Sequence, residues 1–313
     1  MGPGAVGSML AANLYVGLSY GSYPFKIRLA GSKDLSRSSR LHLEKIKSDG
    51  LYLRSNLDKH RLVKPNIEFS PSLEKAELVI FAVKIFDLAK ASKMFLSAIS
   101  SSSIILVVSN GLDAFEKIDK KISKEKVFRG LIQTGCELNK IGEITQHGEA
   151  RIELSGNDSD FISDNRGAFR MIEFLFQDAG FSVSTSEDSR LSEWGKFIAN
   201  CSINPLATLF ECRNGDILRE PVLDIFCKLC IEIQYLVDSE KLPINVKSKV
   251  LEIIQNTSAN QNSMLKSFLN GSKSELQEIT GEILRLAEKR KLYLPLNKFL
   301  FSALKIIEDK NKM

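Results

Sequence analysis

Two uninterrupted apolar runs, each ending in polar residues, restrict the folds open to this chain more than any other sequence feature. AELVIFAV spans residues 76–83 and ends at Lys84, whereas SIILVV spans residues 103–108 and is followed by SNG, which contains Asn110. Strands that are apolar throughout are typical of a parallel sheet covered on both faces. Ligands of such sheets bind outside the carboxyl ends of the strands. We therefore predict an α/β fold with Lys84 and Asn110 at its ligand-binding edge.

The N-terminal segment GPGAVG has the spacing of a dinucleotide-binding loop, G-x-G-x-x-G, and precedes a helix-forming run. Such glycines form a tight turn that lets the backbone approach a pyrophosphate at a helix N-terminus. The residues that we predict to bind cofactor here are Gly2, Gly4, Ala5, Val6 and Gly7. The motif should follow a strand, and only Met1 precedes it. We expect a Rossmann-like doubly wound sheet whose first strand is missing. Either the translation start has been placed too late, which is the explanation we favour, or the chain is a truncated copy.

Residues 25–30, FKIRLA, predict the second strand, and the residues after it indicate the cofactor. An acidic residue at this strand end holds the ribose hydroxyls of NAD, whereas cations hold the phosphorylated ribose of NADP. The polar residues here are Ser32, Lys33, Arg37 and Arg40, with Asp34 as the contrary charge. We therefore predict NADP(H). The alternative is that these side chains belong only to a solvated loop.

The remaining pattern divides the chain into two domains. Further strands are predicted at residues 127–134 and 150–154, with Gly142 and a structural His147 in the turn between them. Residues 181–190 are polar and typical of turns, and almost everything beyond has helical periodicity. We predict helices at residues 191–210, 218–239, 245–256, 260–269, 273–290 and 296–309, with breaks at Pro243 and Pro295. The predicted domains are an NADP-binding Rossmann-like domain, 1–187, and an all-helical substrate and catalytic domain, 188–313.

A row of polar side chains interrupts the first of these helices. Lys196, Asn200 and Asn204 follow Trp194 at four-residue spacing within an apolar segment. Side chains at this spacing share one face of a helix. An ammonium near two carboxamides can bind a carboxylate and protonate a developing alkoxide, as the reduction of a 2-oxo acid requires. The alternative is an exposed lysine with two asparagines along a helix edge.

Composition excludes several other classes of protein. No run in the 313 residues approaches the roughly 20 apolar residues of a membrane-spanning helix. The lack of a long apolar run argues against a membrane partner. The net charge of +5 with scattered basic residues is weak evidence for an anionic ligand and argues against a nucleic-acid partner. Five cysteines at irregular spacing indicate reduced thiols and a cytoplasmic protein. Cys227 and Cys230 form a lone CxxC without a nearby histidine, so we predict buried packing and no metal site.

Taken in order, several segments resemble the ketopantoate reductase (2-dehydropantoate 2-reductase) family. They are GPGAVG, AVKIFDLAKA, VVSNGLDAFEKI, WGKFIANCSINPLATLFECRNGDIL and NSMLKSFLNGSKSELQEITGEIL. The resemblance covers essentially the whole chain apart from the absent first strand. It implies an NADP-binding Rossmann domain, a helical second domain and an active site in the cleft. It also implies reduction of 2-dehydropantoate to pantoate on the route to pantothenate and coenzyme A.

The resemblance also implies residue roles. Lys196 matches the catalytic general acid, and Lys84 matches a lysine near the cofactor's phosphoribose. The residues matching the substrate site are Asn200, Asn204, Asn214, Ser263 near the carboxylate, Glu275 on the hydroxyls, and Asn110 near both nicotinamide and substrate. Glu275 has an alternative interpretation, as a carboxylate favoured by a helix N-terminus. The family often has an arginine where this chain has Ser32, with Lys33 beside it, which weakens the NADP prediction.

Two alternative functions remain open at this stage. The chain could reduce another small branched 2-oxo acid, because a single methyl or hydroxyl contact decides such preferences. It could also be a non-catalytic NADP-binding paralogue, although the joint retention of Lys196, Asn200, Asn204 and Glu275 argues against decay. We expect a monomer or homodimer that acts on a small-molecule 2-oxo acid.

Overall fold

The computed structural model divides the chain into two compact units, Met1–Ser189 and Arg190–Met313. The described residues are 2–19, 26–31, 36–55, 60–68, 74–112, 114–156, 160–186, 188–271 and 273–310. The predicted domain boundary, residue 187, lies outside them. Within the described part of the chain, no helix has both the length and the apolar character needed to cross a membrane.

The described residues of the N-terminal unit form three sheets. The strands are β1 Arg28–Ala30, β2 Leu51–Ser55, β3 Arg61–Val63, β4 Asn66–Glu68, β5 Leu78–Phe81, β6 Ile104–Val107, β7 Val127–Ile132, β8 Gly135–Lys140, β9 Glu143–His147, β10 Arg151–Ser155 and β11 Ser182–Ser186. The largest sheet has the order β11-β10-β7-β6-β5, and β5, β6 and β7 run parallel in it. A four-stranded sheet has the order β3-β2-β9-β8, and β1 pairs with β4 in a separate parallel sheet of two strands.

Helices cover the sheets of the first unit and make up the second. They are α1 Ala5–Ser19, α2 Arg37–Asp49, α3 Leu88–Met94, α4 Ala114–Lys117, α5 Phe161–Asp164, α6 Arg166–Asp178, α7 Ser189–Leu209, α8 Val222–Ser239, α9 Val246–Thr257, α10 Ser263–Leu269, α11 Glu282–Lys289 and α12 Pro295–Lys310. A 3₁₀ helix spans Asn214–Leu218, and a π-helical segment, Gln277–Gly281, leads into α11. These elements confirm the predicted α/β fold followed by a helical region.

Burial explains why the strongest strand predictions hold. Val79, Phe81, Ile105 and Val107 are almost completely buried. Together with Phe95 they form one hydrophobic cluster on one face of the sheet. A second cluster, which includes residues of α1 and α6, lies on the other face. Because both faces of this sheet are covered, its strands are apolar at consecutive positions.

Several predicted boundaries were wrong. Strand β1 begins at Arg28, after residues 26–27 outside any strand, while Phe25 lies outside the described residues. Gly142 does lie in a turn, but β8 and β9 flank it as an unpredicted hairpin, and His147 is the last residue of β9. His147 Nε2 lies 3.4 Å from the Glu137 carboxylate, across the hairpin. Cross-strand partners, absent from any local pattern, stabilise such strands.

The segment predicted as polar turns near residue 185 is also a strand. Strand β11, SVSTS, is partly exposed and pairs in parallel with β10 along five residues. Helix predictions were closer, although α8 begins at Val222, after the 3₁₀ helix, and not at residue 218. Pro295 is the first residue of α12, the helix position where its missing N–H costs least.

A buried histidine connects the first helix to the second sheet. The backbone N–H of Gly142 donates to His42 Nδ1 at 2.9 Å, and His42 Nε2 lies 3.0 Å from Ser8 Oγ. Since Nδ1 accepts, the neutral ring carries its proton on Nε2 and donates it to Ser8. Burial lowers the pKa of His42 from 6.5 to about 4. Protonation would place a second N–H against the Gly142 amide.

We expect acid to destabilise the protein through His42. The folded pKa is lowered, so below pH 6.5 the unfolded chain binds a proton that the folded chain excludes until about pH 4. The free energy of unfolding should therefore fall by about 2 kcal/mol between pH 7 and pH 5 from this group. Urea unfolding at pH 7 and at pH 5 measures this change in the free energy of unfolding. His42→Gln keeps a donor and an acceptor but cannot titrate, so its free energy of unfolding should change less between pH 7 and pH 5. An equal change in the parent and the variant would contradict the prediction.

Candidate functional site

The glycine motif forms a tight loop at the N-terminus of α1. Gly2 has φ 93°, and its N–H donates to the Ala30 carbonyl at 3.4 Å. A Cβ on Gly2 would overlap the Ala82 carbonyl, and one on Gly7 would overlap the Gly2 carbonyl. Around Gly4, in contrast, a Cβ would meet nothing within 4 Å, so the backbone is open to approach there. The 15-residue α1 begins at the next residue, and N–H groups of a first helical turn favour anions.

The two strand-end loops predicted to bind ligand lie beside this glycine loop. Lys84 follows β5 and is half-buried, with Nζ 5.8 Å from the centre of the Phe86 ring. Asn110 follows β6 and is also half-buried. The Ser109 hydroxyl donates to the Val83 carbonyl at 2.7 Å, which joins the two loops. The unit therefore brings the glycine motif, Lys84 and Asn110 to one edge.

Sequence reasoning missed the residue that supports the Asn110 loop. Arg129, on β7, is fully buried. It donates to the carbonyl oxygens of Val107 and Ser109 at 3.2 Å each, and to that of Gly111 at 3.4 Å. An arginine in an apolar run was the available signal, because a buried guanidinium needs several acceptors. Arg129 thus fixes the backbone on both sides of Asn110.

The residues predicted to read the cofactor's ribose are only partly described. Ser32, Lys33 and Asp34 lie outside the described residues. Arg37 and Arg40 are exposed in the first turn of α2, whose N-cap Ser36 accepts a hydrogen bond from the Ser39 N–H. Both guanidinium groups are accessible to a solvent-borne anion.

Helix α7 carries the predicted polar row of the second unit. Lys196 and Asn200 are half-buried, and Asn204 is buried with 5% exposure. The rings of Trp194 and Phe197 pack edge to face on the buried part of the helix, and their centres are 5.7 Å apart. The four-residue spacing of the row is local helix geometry, so the three polar groups follow one another along the helix. A cation and two amides there can bind a small carboxylate or carbonyl group.

The row extends one residue further than predicted. Thr208 stands four positions after Asn204 and is buried, and its Oγ1 has no hydrogen-bond partner among the described residues. Buried polar atoms without a protein partner are rare, so the Thr208 hydroxyl is a candidate for contact with a ligand. The same spacing that identified the asparagines also identifies Thr208.

Two further polar groups lie where the 3₁₀ helix meets the loop before α10. Asn214 Nδ2 donates to Thr257 Oγ1 at 3.2 Å, and the Asn214 N–H donates to the Asn260 carbonyl at 3.0 Å. Its Oδ1 is buried, and within the described chain no donor reaches it. Asn262 caps α10 through Oδ1, while its buried Nδ2 likewise lacks a described acceptor. Ser263 is exposed at the first residue of α10.

Glu275 precedes the π-helical segment and is buried, with 6% exposure. The neighbouring Ser274 donates to Glu308 Oε1 through its N–H, at 3.1 Å, and its hydroxyl, at 2.7 Å. Glu308 lies on α12 and is itself buried. This pair of bonds positions Glu275, and no local sequence pattern could have shown it. A π-helical turn often marks a functional site.

One contact joins the Glu275 segment to the polar row. Cys201, beside Asn200 on α7, lies with Sγ 3.7 Å from the Ile279 carbonyl, one turn after Glu275. Both residues are buried. This contact links α7 to the segment that follows Glu275, and the contacts of Asn214 link the 3₁₀ helix to the loop before α10.

The CxxC pair lies on α8, where Cys230 contacts Ser202 of α7. Burial raises the pKa of the Cys230 thiol to about 12, so the thiol is protonated at neutral pH. Cys227 is half-buried. Among the described residues, none of the five cysteines forms a disulfide.

Comparison with known proteins follows the same division of the chain. Residues 1–159 match the family described as Ketopantoate reductase PanE/ApbA, and residues 188–308 match Ketopantoate reductase PanE/ApbA C terminal. A similar protein is the 2-dehydropantoate 2-reductase of Vibrio cholerae serotype O1, 24% identical over 99% of this chain and 97% of the relative.

Two similar solved structures share the fold. A PanE/ApbA family ketopantoate reductase from Ralstonia eutropha JMP134 superposes with a TM-score of 0.83 at 24% identity, covering 100% of this chain and 98% of that one. D-mandelate dehydrogenase with NADH and anilino(oxo)acetate gives a TM-score of 0.87 at 20% identity, with the same coverage. Identities this low establish a common fold and leave cofactor and substrate to the residues of the site.

Proposed function

The chain belongs to the ketopantoate reductase family, and from this premise we propose that it reduces 2-dehydropantoate to pantoate with NADPH. In this proposal it serves pantothenate and coenzyme A biosynthesis in the cytoplasm. The observation that carries the proposal is the polar row of Lys196, Asn200 and Asn204 on a largely buried helix, joined through Cys201 and Ile279 to the buried Glu275 segment.

The residues of the first unit suit a nicotinamide dinucleotide. The open backbone at Gly4, followed by the first turn of α1, offers N–H groups to a pyrophosphate. In this proposal Lys84 contacts the phosphoribose. Asn110, in the loop that Arg129 supports, orients the nicotinamide and the substrate. When bound, the cofactor supplies the hydride that reduces the carbonyl carbon.

Lys196 supplies the proton in the proposed reaction. As hydride reaches the carbonyl carbon, negative charge builds on the carbonyl oxygen, and an ammonium within hydrogen-bond reach both stabilises and protonates that oxygen. In this proposal the half-buried Lys196 presents its ammonium to the substrate. Asn200 and Asn204 orient the substrate through their amides.

The remaining polar groups suit the ends of the substrate. Glu275 accepts hydrogen bonds from the hydroxyl groups of the substrate. A buried carboxylate selects for a ligand that supplies such donors. Ser263 donates to the substrate carboxylate from the exposed start of α10. Asn214 keeps one buried carbonyl oxygen for a donor outside the described chain, which is consistent with a role in the pocket.

We expect oxidation of NADPH in the presence of 2-dehydropantoate to be at least about tenfold faster than oxidation of NADH, a preference worth about 1.4 kcal/mol. The physical reason is that Lys33, Arg37 and Arg40 supply cations to the 2′-phosphate. Loss of cofactor absorbance measures both rates. Arg37→Ala should reduce the ratio of the NADPH rate to the NADH rate.

A matched control is Arg166→Ala, which removes an exposed arginine from the first position of another helix, α6. Equal rates with both cofactors in the parent protein would contradict the NADP assignment. No turnover with either cofactor would overturn the proposed reaction itself.

A further inference from the structure

A cavity of about 340 Å³ lies within the first unit, near the C-terminal end of α1. The glycine loop lies at the other end of this helix. Asn13, Val16 and Gly17 of α1 line the cavity, together with Asp178 at the end of α6 and Arg61 on β3. Its volume falls in the range of about 300–1,000 Å³ that is typical of small-molecule sites. The proposed reduction uses none of these residues.

A buried asparagine brings an unused acceptor to this cavity. Asn13 is 7% exposed, and its Nδ2 donates to the Met9 carbonyl at 3.1 Å and to Gln146 Oε1 at 2.9 Å. These two acceptors fix the orientation of the amide, because the reversed amide would set Oδ1 against the Met9 carbonyl. Within the described chain, nothing donates to Asn13 Oδ1. Since buried polar groups are nearly always hydrogen-bonded, this oxygen favours a ligand that supplies a donor.

Charges of opposite sign line the cavity without pairing with each other. Arg61 is half-buried on β3, and Asp178 is exposed as the last residue of α6. Neither side chain forms an ion pair with any residue that the structure describes. Glu149, a second carboxylate of the lining, is already compensated by Arg151 at 2.9 Å. A ligand that carries one positive and one negative charge would satisfy both Arg61 and Asp178.

The ends of two helices make the Asp178 side of the cavity electronegative. A Cβ on Gly17 would lie 2.3 Å from the Asp178 carbonyl oxygen, so α1 packs directly against the end of α6. Neither helix has a basic residue in its last turn, and the partial negative charge of a helix C-terminus favours cations. Asn13 precedes Gly17 by four residues and lies on the same face of α1. A cation is therefore favoured near Asn13 and Asp178, and an anion beside Arg61.

We propose that this cavity is a second ligand site, which binds a small amino-acid zwitterion with a primary ammonium and a carboxylate. The ammonium donates to Asn13 Oδ1 and pairs with Asp178, while the carboxylate accepts hydrogen bonds from Arg61. The ligand is neither the cofactor nor the substrate of the proposed reduction.

Thermal unfolding and titration calorimetry of the protein without added cofactor test this proposal. The probes are the protein amino acids together with 3-aminopropanoate, 4-aminobutyrate and 5-aminopentanoate, which separate the two charges by increasing distances. At a concentration about one hundred times Kd, we expect the tightest-binding probe to raise Tm by roughly 5 °C or more. The matching amine and the matching carboxylic acid, which each lack one charge, should bind at least about tenfold more weakly. Neither measurement uses a 2-oxo acid, so failure here is distinct from failure of the proposed reaction.

Matched variants establish where the zwitterion binds. Asp178→Asn and Arg61→Gln remove one charge each from side chains that are not fully buried, and each should raise Kd about tenfold. Two controls should bind like the parent. They are Asp49→Asn, at the last residue of α2, and Arg170→Gln, at an exposed position of α6.

Lys196→Ala separates this site from the proposed reductase site and should keep the affinity of the parent. The proposal is overturned if no probe raises Tm, or if the singly charged analogues bind as tightly as the zwitterion. It is also overturned if Asp178→Asn and Arg61→Gln bind like the parent, or if Lys196→Ala abolishes binding.

Discussion

Lys196→Ala lowers kcat for 2-dehydropantoate by about 10²–10⁴-fold while the affinity for NADPH changes little, if Lys196 is the general acid. The interaction between its ammonium and the substrate oxygen strengthens only as negative charge develops, so its loss affects the transition state more than the ground state. Steady-state kinetics give kcat, and fluorescence titration gives the NADPH dissociation constant.

Lys228→Ala provides the control, since Lys228 is an exposed lysine of the same unit that pairs with Asp224 on α8. Its kcat should match the parent. If Lys196→Ala keeps a kcat near that of the parent, Lys196 is not the general acid. The polar residues between Trp194 and Asn204 would then be an unusual helix edge without a chemical role.

Glu275→Ala has the second large expected effect, which concerns substrate recognition. If Glu275 binds a hydroxyl in both the ground and transition states, its loss mainly raises KM. We expect kcat/KM for 2-dehydropantoate to fall by about 10²-fold, or about 2.7 kcal/mol, as expected for loss of a hydrogen bond to a charged group.

The analogue 2-oxoisovalerate, which lacks the hydroxymethyl group, separates recognition from structure. The parent should discriminate against it because the analogue offers Glu275 no hydroxyl to bind. Glu275→Ala should therefore reduce the ratio of kcat/KM for 2-dehydropantoate to kcat/KM for the analogue. Glu288→Ala, at an exposed position of α11, is the control. Equal losses on both substrates would make Glu275 a structural residue and would leave the choice of 2-dehydropantoate to family membership alone.

Local geometry explains which parts of the site could be predicted. The spacing of Lys196, Asn200 and Asn204 defines one helix face wherever that helix packs. The glycine spacing likewise predicted a turn before a helix, and the structure places Gly2 where a side chain would overlap the Ala82 carbonyl. These features depend on residues a few positions apart, so the sequence contains all that they need.

The supporting contacts could not be predicted because their partners are distant in sequence. Glu308 is 34 residues from Ser274, and Arg129 is 18 residues from the Gly111 carbonyl that it binds. Whether such a side chain is exposed or buried depends on which elements pack around it. The link between Cys201 and Ile279, 78 residues apart, is of the same kind.

Periodicity and continuous apolar runs were sufficient to predict the buried parallel strands, the helical second unit and the polar row on α7. Three features became visible only in the folded chain: SVSTS is a strand, β1 belongs to a sheet separate from β5, and His42 is buried and neutral between Ser8 and Gly142. Edge strands and buried polar groups obtain their hydrogen bonds from partners that are distant in sequence and come close only when the chain folds.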